Sequence, residues 1–300
     1  MTLQIAWGIT GAGCWLFESF EIIGQLLANP SIKIDLFFSK AGREVAQCYG
    51  VFKSPVPINQ PFIDKVREIP HFNQYIFKPG FVESYQWLGL NDSKEINEYF
   101  NLIEEKKQAN HSEEDIEEAF NDVIFEIDEG ASYPASASAS NCKYNFIIIS
   151  PATGNTVNKL SNGIADNLVS NLAIMGNKCK DTEILILPTD YEKGDVKSYL
   201  PIMLHQETCK KCSECSALWA CKPGAIRRKR GKVRINRLKC IGCLDCVKFC
   251  RYGVITFCEE ITVTVREQEA LAAAKIAKQK GFKVFKNPSD LRKYLLSKIK

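Results

Sequence analysis

Tyr144-Asn145-Phe146-Ile147-Ile148-Ile149 runs without a break into Ser150-Pro151-Ala152-Thr153-Gly154-Asn155-Thr156. An apolar run this continuous suits a central parallel strand, buried on both faces. After the loop comes a helical pattern through Val157, Leu160, Ile164, Leu168 and Leu172, then a strand from Glu183 to Leu187 that ends at Pro188-Thr189-Asp190. The chain opens in the same way. Leu3 to Trp7 is a short strand, Gly8-Ile9-Thr10-Gly11-Ala12-Gly13 a loop, and Leu16, Phe20, Ile23 and Leu27 one face of a helix. Ile32 to Phe38 is the next strand and stops at Ser39-Lys40-Ala41-Gly42. Strands alternating with helices predict an α/β fold with a doubly wound parallel sheet. A ligand then belongs at the carboxyl ends of the strands, where the loops at Gly8, Ser39 and Pro151 converge.

A strand, a glycine loop and a helix make a phosphate cradle, because glycines let backbone N–H groups approach an anion at the helix N-terminus. This loop lacks the spacing of the usual dinucleotide fingerprint, so a tight turn without a ligand is an equal alternative.

Eight of the thirteen cysteines fall between Cys209 and Cys250. The first group is Cys209, Cys212, Cys215 and Cys221, followed by Pro223; the second is Cys240, Cys243, Cys246 and Cys250. A triplet at two-residue intervals lets three thiolates close on one cubane, while the fourth, more distant Cys of each group ligates the other cluster. The expected ligand sets are Cys209, Cys212, Cys215 and Cys250 for one 4Fe-4S cluster, and Cys240, Cys243, Cys246 and Cys221 for the other. Five residues rather than three precede Cys221, and Arg251 stands where proline usually follows. Zinc is the competing reading, but structural zinc is usually held by separated Cys pairs, which leaves the third Cys of each triplet surplus. Met1 leads directly into Leu3 to Trp7 with no basic region, so the expected compartment is cytoplasmic, where disulfides are disfavoured. Cys14, Cys48, Cys142, Cys179 and Cys258 read as scattered core residues.

With 300 residues, 45% of them hydrophobic, the chain can form one large domain and a smaller one. No apolar stretch approaches the roughly 20 residues that span a bilayer. The net charge of +4 hides segregation: residues 91–129 are mostly acidic, whereas Lys222 to Lys239 holds seven further Lys and Arg and no acid. That basic run reads as a hairpin tip or as a docking face for an acidic electron carrier. No aromatic residue interleaves with its charges, which argues against nucleic acid.

The loop Gly8 to Gly13, taken with Pro151-Ala-Thr-Gly-Asn-Thr-Val-Asn-Lys-Leu-Ser-Asn-Gly-Ile-Ala-Asp-Asn-Leu168, resembles the homo-oligomeric flavin-containing cysteine decarboxylases. With Trp7 before it, the first motif looks closest to an archaeal branch of dihydropterin-reducing flavoproteins, some of which carry a two-cluster ferredoxin module. The resemblance covers Met1 to about Gly50, Tyr144 to about His205, and the cysteine region. It implies that Gly8, Thr10, Gly11, Gly13 and Ser39 surround the phosphate of FMN. Pro151, Thr153, Asn155 and Thr156 would line the ribityl chain and ring, with Asn155 facing the substrate as the catalytic orienter. The decarboxylases clamp substrate with Pro-x-Met-Asn and use a histidine; here Pro188-Thr189-Asp190 replaces the clamp, and His71 is the only histidine near the matching stretch. Decarboxylation is therefore disfavoured.

The expected domains are an FMN-binding flavoprotein domain over 1–205, interrupted by a divergent acidic insertion at about 52–141, a ferredoxin-like domain over 206–262 and a helical tail over 263–300. Within the insertion, Ile96, Phe100, Ile103, Ile116 and Phe120 have helical spacing, and Ala135 to Ser140 reads as a small-residue linker. Ile261 to Val265 alternates as a closing strand, and Phe282 to Phe285 reads as a short strand within the tail. Clusters of this kind pass single electrons at low potential, and a flavin collects two. The expected activity is reduction of a dihydropterin to its tetrahydro form, with a ferredoxin or similar electron donor and a homo-oligomer built on trimers. The alternative is an electron-transfer flavoprotein that serves a protein partner and has no small-molecule substrate.

Overall fold

A computed structural model describes residues 2–51 and 120–299. The spacing at Ile96, Phe100, Ile103 and Ile116, and His71, lie outside the described residues. Six parallel strands form the main sheet: β1 (Leu3–Ile9), β2 (Ile32–Phe38), β3 (Phe120–Phe125), β4 (Phe146–Ala152), β5 (Glu183–Pro188) and β10 (Phe282–Val284), in the order β10-β5-β4-β1-β2-β3. This is the doubly wound arrangement, and its direction reverses between β1 and β4.

Side chains alternate across the sheet with period two, and both faces are buried. Ile5, Trp7, Ile9, Leu36, Phe38, Ile148, Leu185 and Leu187 belong to one core. Ala6, Phe37, Ile147, Ile149, Ile184 and Ile186 belong to the other. Helices α1 (Leu16–Leu27), α2 (Lys40–Cys48) and α9 (Pro288–Lys298) contribute to the first core. Helices α4 (Gly154–Ser161), α5 (Leu168–Gly176) and α8 (Glu267–Ile276) cover the second. Residues 263–300, expected as a tail, thus supply a sheet strand and a helix on each face.

The single helix expected from Val157 to Leu172 is two. Gly163 takes φ +71° after α4, Ile164 lies in the connector, and Asn167 starts α5 by accepting from Ser170 N at 2.8 Å. A left-handed glycine ends one helix and an asparagine cap begins the next. Phe120 begins an edge strand rather than ending a helix, because β2 offers it a pairing partner. The stretch expected as a linker folds into α3 (Pro134–Ala137) and a 3-10 turn, Ser138–Asn141. Ser136 there is buried and accepts from Asn171 Nδ2 at 3.0 Å. Cys142 and Cys179, expected as unpaired core thiols, form a disulfide, their Cα atoms brought to 5.3 Å by the turns that hold them.

The cysteine region grows from a long antiparallel ribbon, β6 (Gly194–Leu204) with β9 (Ile255–Val265). Between these strands lie α6 (Ser216–Ala220), the hairpin β7 (Ile226–Lys229) and β8 (Lys232–Ile235), and α7 (Asp245–Phe249). Ile226, Val233, Leu244 and Phe257 join the first core of the sheet, so the region is built onto that face. Among the described residues, no helix is long and apolar enough to cross a membrane.

Candidate functional site

The crevice where the strand order reverses holds both motif loops. Thr10 ties them together: its hydroxyl donates to the Pro151 carbonyl at 2.6 Å and accepts from Thr153 N at 3.0 Å. Trp7 Nε1 donates to the Ser150 carbonyl at 2.7 Å, and the Ser19 and Ser150 hydroxyls share a 2.7 Å bond. The Ser150–Pro151 peptide is cis. Thr10 and Trp7 are buried, so both fix the loops from beneath.

The glycines have separate reasons to be glycine. Gly8 lies inside β1, and a Cβ there would stand 2.8 Å from Val169 and 2.9 Å from Ile149. Gly11 closes on Ala41, and Gly13 closes on the Tyr49 hydroxyl. Gly8 is thus set by packing, while Gly11 and Gly13 bring the loop onto α2. Among the described residues, the N–H groups of Gly11 and Gly13 meet no protein acceptor. Amides left without a protein acceptor in a glycine loop fit a phosphate ligand.

Ser39 caps α2 by accepting from Gly42 N at 3.0 Å. Glu126 is buried beside it and accepts from Lys40 N at 3.1 Å, so one N–H of the helix end is already satisfied by a carboxylate. On the other side, Thr153 caps α4 by accepting from Thr156 N at 3.2 Å, and their hydroxyls share a 3.0 Å bond. Asn155 is exposed on the first turn of α4. Asp190 accepts from Gly154 N at 2.9 Å, so the last residue of Pro188-Thr189-Asp190, which replaces the clamp, holds the start of α4.

Sequence reasoning passed over Tyr49 and Glu126, whose roles rest on distant neighbours, while Cys14 and Cys48 are buried as the sequence led one to expect. Burial, with Glu18 and Asp190 nearby, pushes the Cys14 thiol up to about 12, so it stays protonated near neutral pH. Burial likewise pushes the Tyr49 hydroxyl upward. That hydroxyl donates to the Tyr199 carbonyl, and the ring meets Phe17 edge-on at 5.4 Å and Phe257 at 6.2 Å.

The eight cysteines surround two separate cavities. Cys209, Cys212, Cys215 and Cys250 line one of about 330 Å³, with Leu204, Val233 and Ile255 as apolar wall. Cys221, Cys240, Cys243 and Cys246 line the other, with Ile202, Ile226 and Leu244. Each triplet is therefore accompanied by the fourth Cys of the opposite group. The second cavity is only about 10 Å³, and among the described residues no three of these thiols close to metal-holding distance, so what fits an iron-sulfur cluster is the donor set of four thiols backed by apolar side chains and not a formed cage.

Several matches to known proteins accompany this geometry. The protein-family model described as Flavoprotein matches residues 1–193. The dihydromethanopterin reductase (acceptor) of Methanocaldococcus jannaschii is 30% identical over 295 residues, covering 98% of this chain and 96% of that one. Its namesake from Methanosarcina mazei is 27% identical over 290 residues, covering 96% and 97%. An iron-sulfur protein of Rhodospirillum rubrum is 39% identical over 71 residues, 24% of this chain and 36% of that one.

Proposed function

Because the chain belongs to the Flavoprotein family, we propose that it is a flavin-dependent oxidoreductase that draws electrons through two 4Fe-4S clusters to reduce a dihydropterin to its tetrahydro form. The observation that carries this reading is the gathering of each cysteine triplet with the fourth Cys of the other group, in a chain whose larger part is a flavoprotein sheet. Near full-length similarity to two dihydromethanopterin reductases supports the choice of substrate. FMN, when bound, would supply two-electron hydride chemistry, and the clusters single-electron transfer.

The protein's own contribution is placement. Gly11 and Gly13 would offer N–H groups to the phosphate, with Ser39 beside them. Thr10 holds the glycine loop against Pro151, and Thr153 and Thr156 shape the opposite wall. Asn155, exposed on the first turn of α4, would orient the substrate; its exposure also supports a site completed by a second copy of the chain.

An anaerobic titration of the iron- and FMN-loaded protein tests the reading. Flavin absorbance should bleach on reduction and recover on adding dihydropterin, with tetrahydropterin formed. A flavin that stays reduced until a protein acceptor is supplied would move the assignment to an electron-transfer flavoprotein.

A further inference from the structure

The two cysteine cavities differ in what faces them. The cavity of Cys240, Cys243 and Cys246 is turned toward the flavoprotein sheet. Gln47 Nε2 donates to the Cys240 carbonyl at 3.0 Å, Cys48 Sγ to the Arg237 carbonyl at 3.1 Å, and Gly242 lies against the backbone of Gly50. These three cysteines are buried and Cys221 beside them is partly exposed, whereas Cys209, Cys212, Cys215 and Cys250 are all partly exposed.

Around the more exposed cavity lies an unusual surface. Trp219, Tyr252 and Phe249 are 78%, 55% and 48% exposed. Lys210, Arg251 and Tyr252 themselves border the cavity. From Cys209 to Arg251 the sequence has thirteen Lys and Arg against two acids, Glu214 and Asp245, and Asp245 is buried. That segment carries +11 in a chain whose total is +4, so the rest carries −7.

The hairpin β7–β8 concentrates this charge. Arg227 stands opposite Arg234 and Lys229 opposite Lys232, while Arg230 and Gly231 turn the chain with φ +51° and +72°. Like charges directly opposite on a hairpin destabilise it, so local folding gives no reason for them. Arg228 joins the hairpin to the cavity by donating to the Cys212 carbonyl.

We propose that this face docks an acidic one-electron carrier protein, so that electrons enter at the cavity of Cys209 and leave through the cavity of Cys240 toward the flavoprotein sheet. The proposal rests on the cluster reading above. Basic charge steers an acidic partner, and exposed aromatic rings give the encounter an apolar centre beside the electron acceptor. Each docking oxidises one reduced carrier by one electron. Two dockings, with two protons from water, balance the saturation of one C=N bond.

The test is stopped-flow oxidation of a reduced, acidic two-cluster ferredoxin by the loaded full-length protein, across a range of ionic strength. Wild-type rates should fall as salt rises. In the triple variant Lys229→Glu, Lys232→Glu, Arg234→Glu, the second-order rate constant should drop at least about tenfold at low salt and lose its salt dependence. Trp219→Ala should slow the same reaction without changing its salt dependence. Reduced methyl viologen, a small cation that needs no docking face, should reduce all variants at least as fast as wild type.

Ferredoxin rates unaffected by charge reversal would overturn the proposal, as would an equal slowing with viologen. A changed assembly size at unchanged ferredoxin rate would assign the face to contacts between copies and overturn it too. A loaded protein that accepts no electrons even from viologen would instead remove the cluster reading on which it stands.

Discussion

Gly242→Ala should damage the seam between the cysteine region and the flavoprotein sheet, and its cost can be worked from geometry. Gly242 has φ +67°, where an L-residue costs about 1–2 kcal/mol relative to glycine. A Cβ there would also stand 2.4 Å from Gly50 N, 2.7 Å from Gly50 Cα and 2.9 Å from the Cys48 carbonyl oxygen. All three are backbone atoms, so relief requires the loop and the end of α2 to separate, an overpacking cost of about 1–3 kcal/mol. Together these give about 2–5 kcal/mol, a large share of ordinary domain stability. Gly224→Ala is the matched control: its φ is +63° in the same region, but a Cβ there meets nothing within 4 Å. Anaerobic guanidinium unfolding of both variants isolates the clash as the difference between them, and iron content per chain reports whether the second cluster site still loads. Equal destabilisation by the two substitutions would refute the tight seam.

Cys221→Ser should remove the electron paramagnetic signal of the cluster held by the second triplet and spare the other; loss of the first-triplet signal instead would refute the crossed ligand sets. Cys48 lies against Cys240, so Cys48→Ala should lower the midpoint potential of that cluster while iron content stays constant, as read by a redox titration. Asn155→Ala should lower kcat with dihydropterin by about ten- to a hundredfold, with a melting temperature unchanged because the side chain is exposed. Burial works to raise the pKa of Glu183, but hydrogen bonds from Tyr294 and Lys298 and the charges of Lys298 and Lys283 prevail and hold it below the ordinary carboxylate value. Its stabilisation is then present above the unfolded-state pKa and lost as pH falls through the folded one. Glu183→Gln should cost under about 1 kcal/mol near neutrality and nothing in strong acid, measured by melts at both pH values.

The parts legible in the sequence were those written in local patterns. The apolar run ending at Ile149, the strand Ile32 to Phe38 and their loops are set by period, and the sheet follows from their alternation. The cysteine groups are legible as a ligand pattern because such geometry constrains neighbours a few residues apart, and each triplet shares its cavity with the fourth Cys of the other group. What escaped depends on distant partners. Phe120 becomes a strand only because β2 leaves an edge beside it, 86 residues earlier in the chain at Ile34. Asp190 acts on Gly154, and Tyr49 on Gly13 and Tyr199, through contacts that no local window contains. The break at Asn162 to Asn167 was different: Ser161-Asn162-Gly163 and Asp166-Asn167 are stop and start signals, outvoted by an apolar spacing that happened to remain in phase.

One helix connects the two candidate sites. The start of α2 lies in the glycine-loop crevice, where Ser39 caps it and Gly11 closes on Ala41. Its end carries Gln47 and Cys48, which reach Cys240 and Arg237. Nine residues at about 1.5 Å each span roughly 13 Å. A hydrogen-bonded rod of that length fixes the separation of glycine-loop crevice and buried cysteine cavity without depending on a loop. Tyr49 extends the connection sideways, since its hydroxyl faces Gly13 and its ring meets Phe257 of β9. The glycine at position 13 therefore has a role beyond backbone freedom: any side chain would push Tyr49 away and loosen the crevice from the ribbon that carries the cysteines. Gly13→Ala should accordingly weaken FMN retention and slow internal electron transfer together, whereas Gly11→Ala, which strikes Ala41 alone, should affect retention more than transfer. Parallel loss of both properties in the two variants would show that α2 is a passive wall and not the strut between the sites.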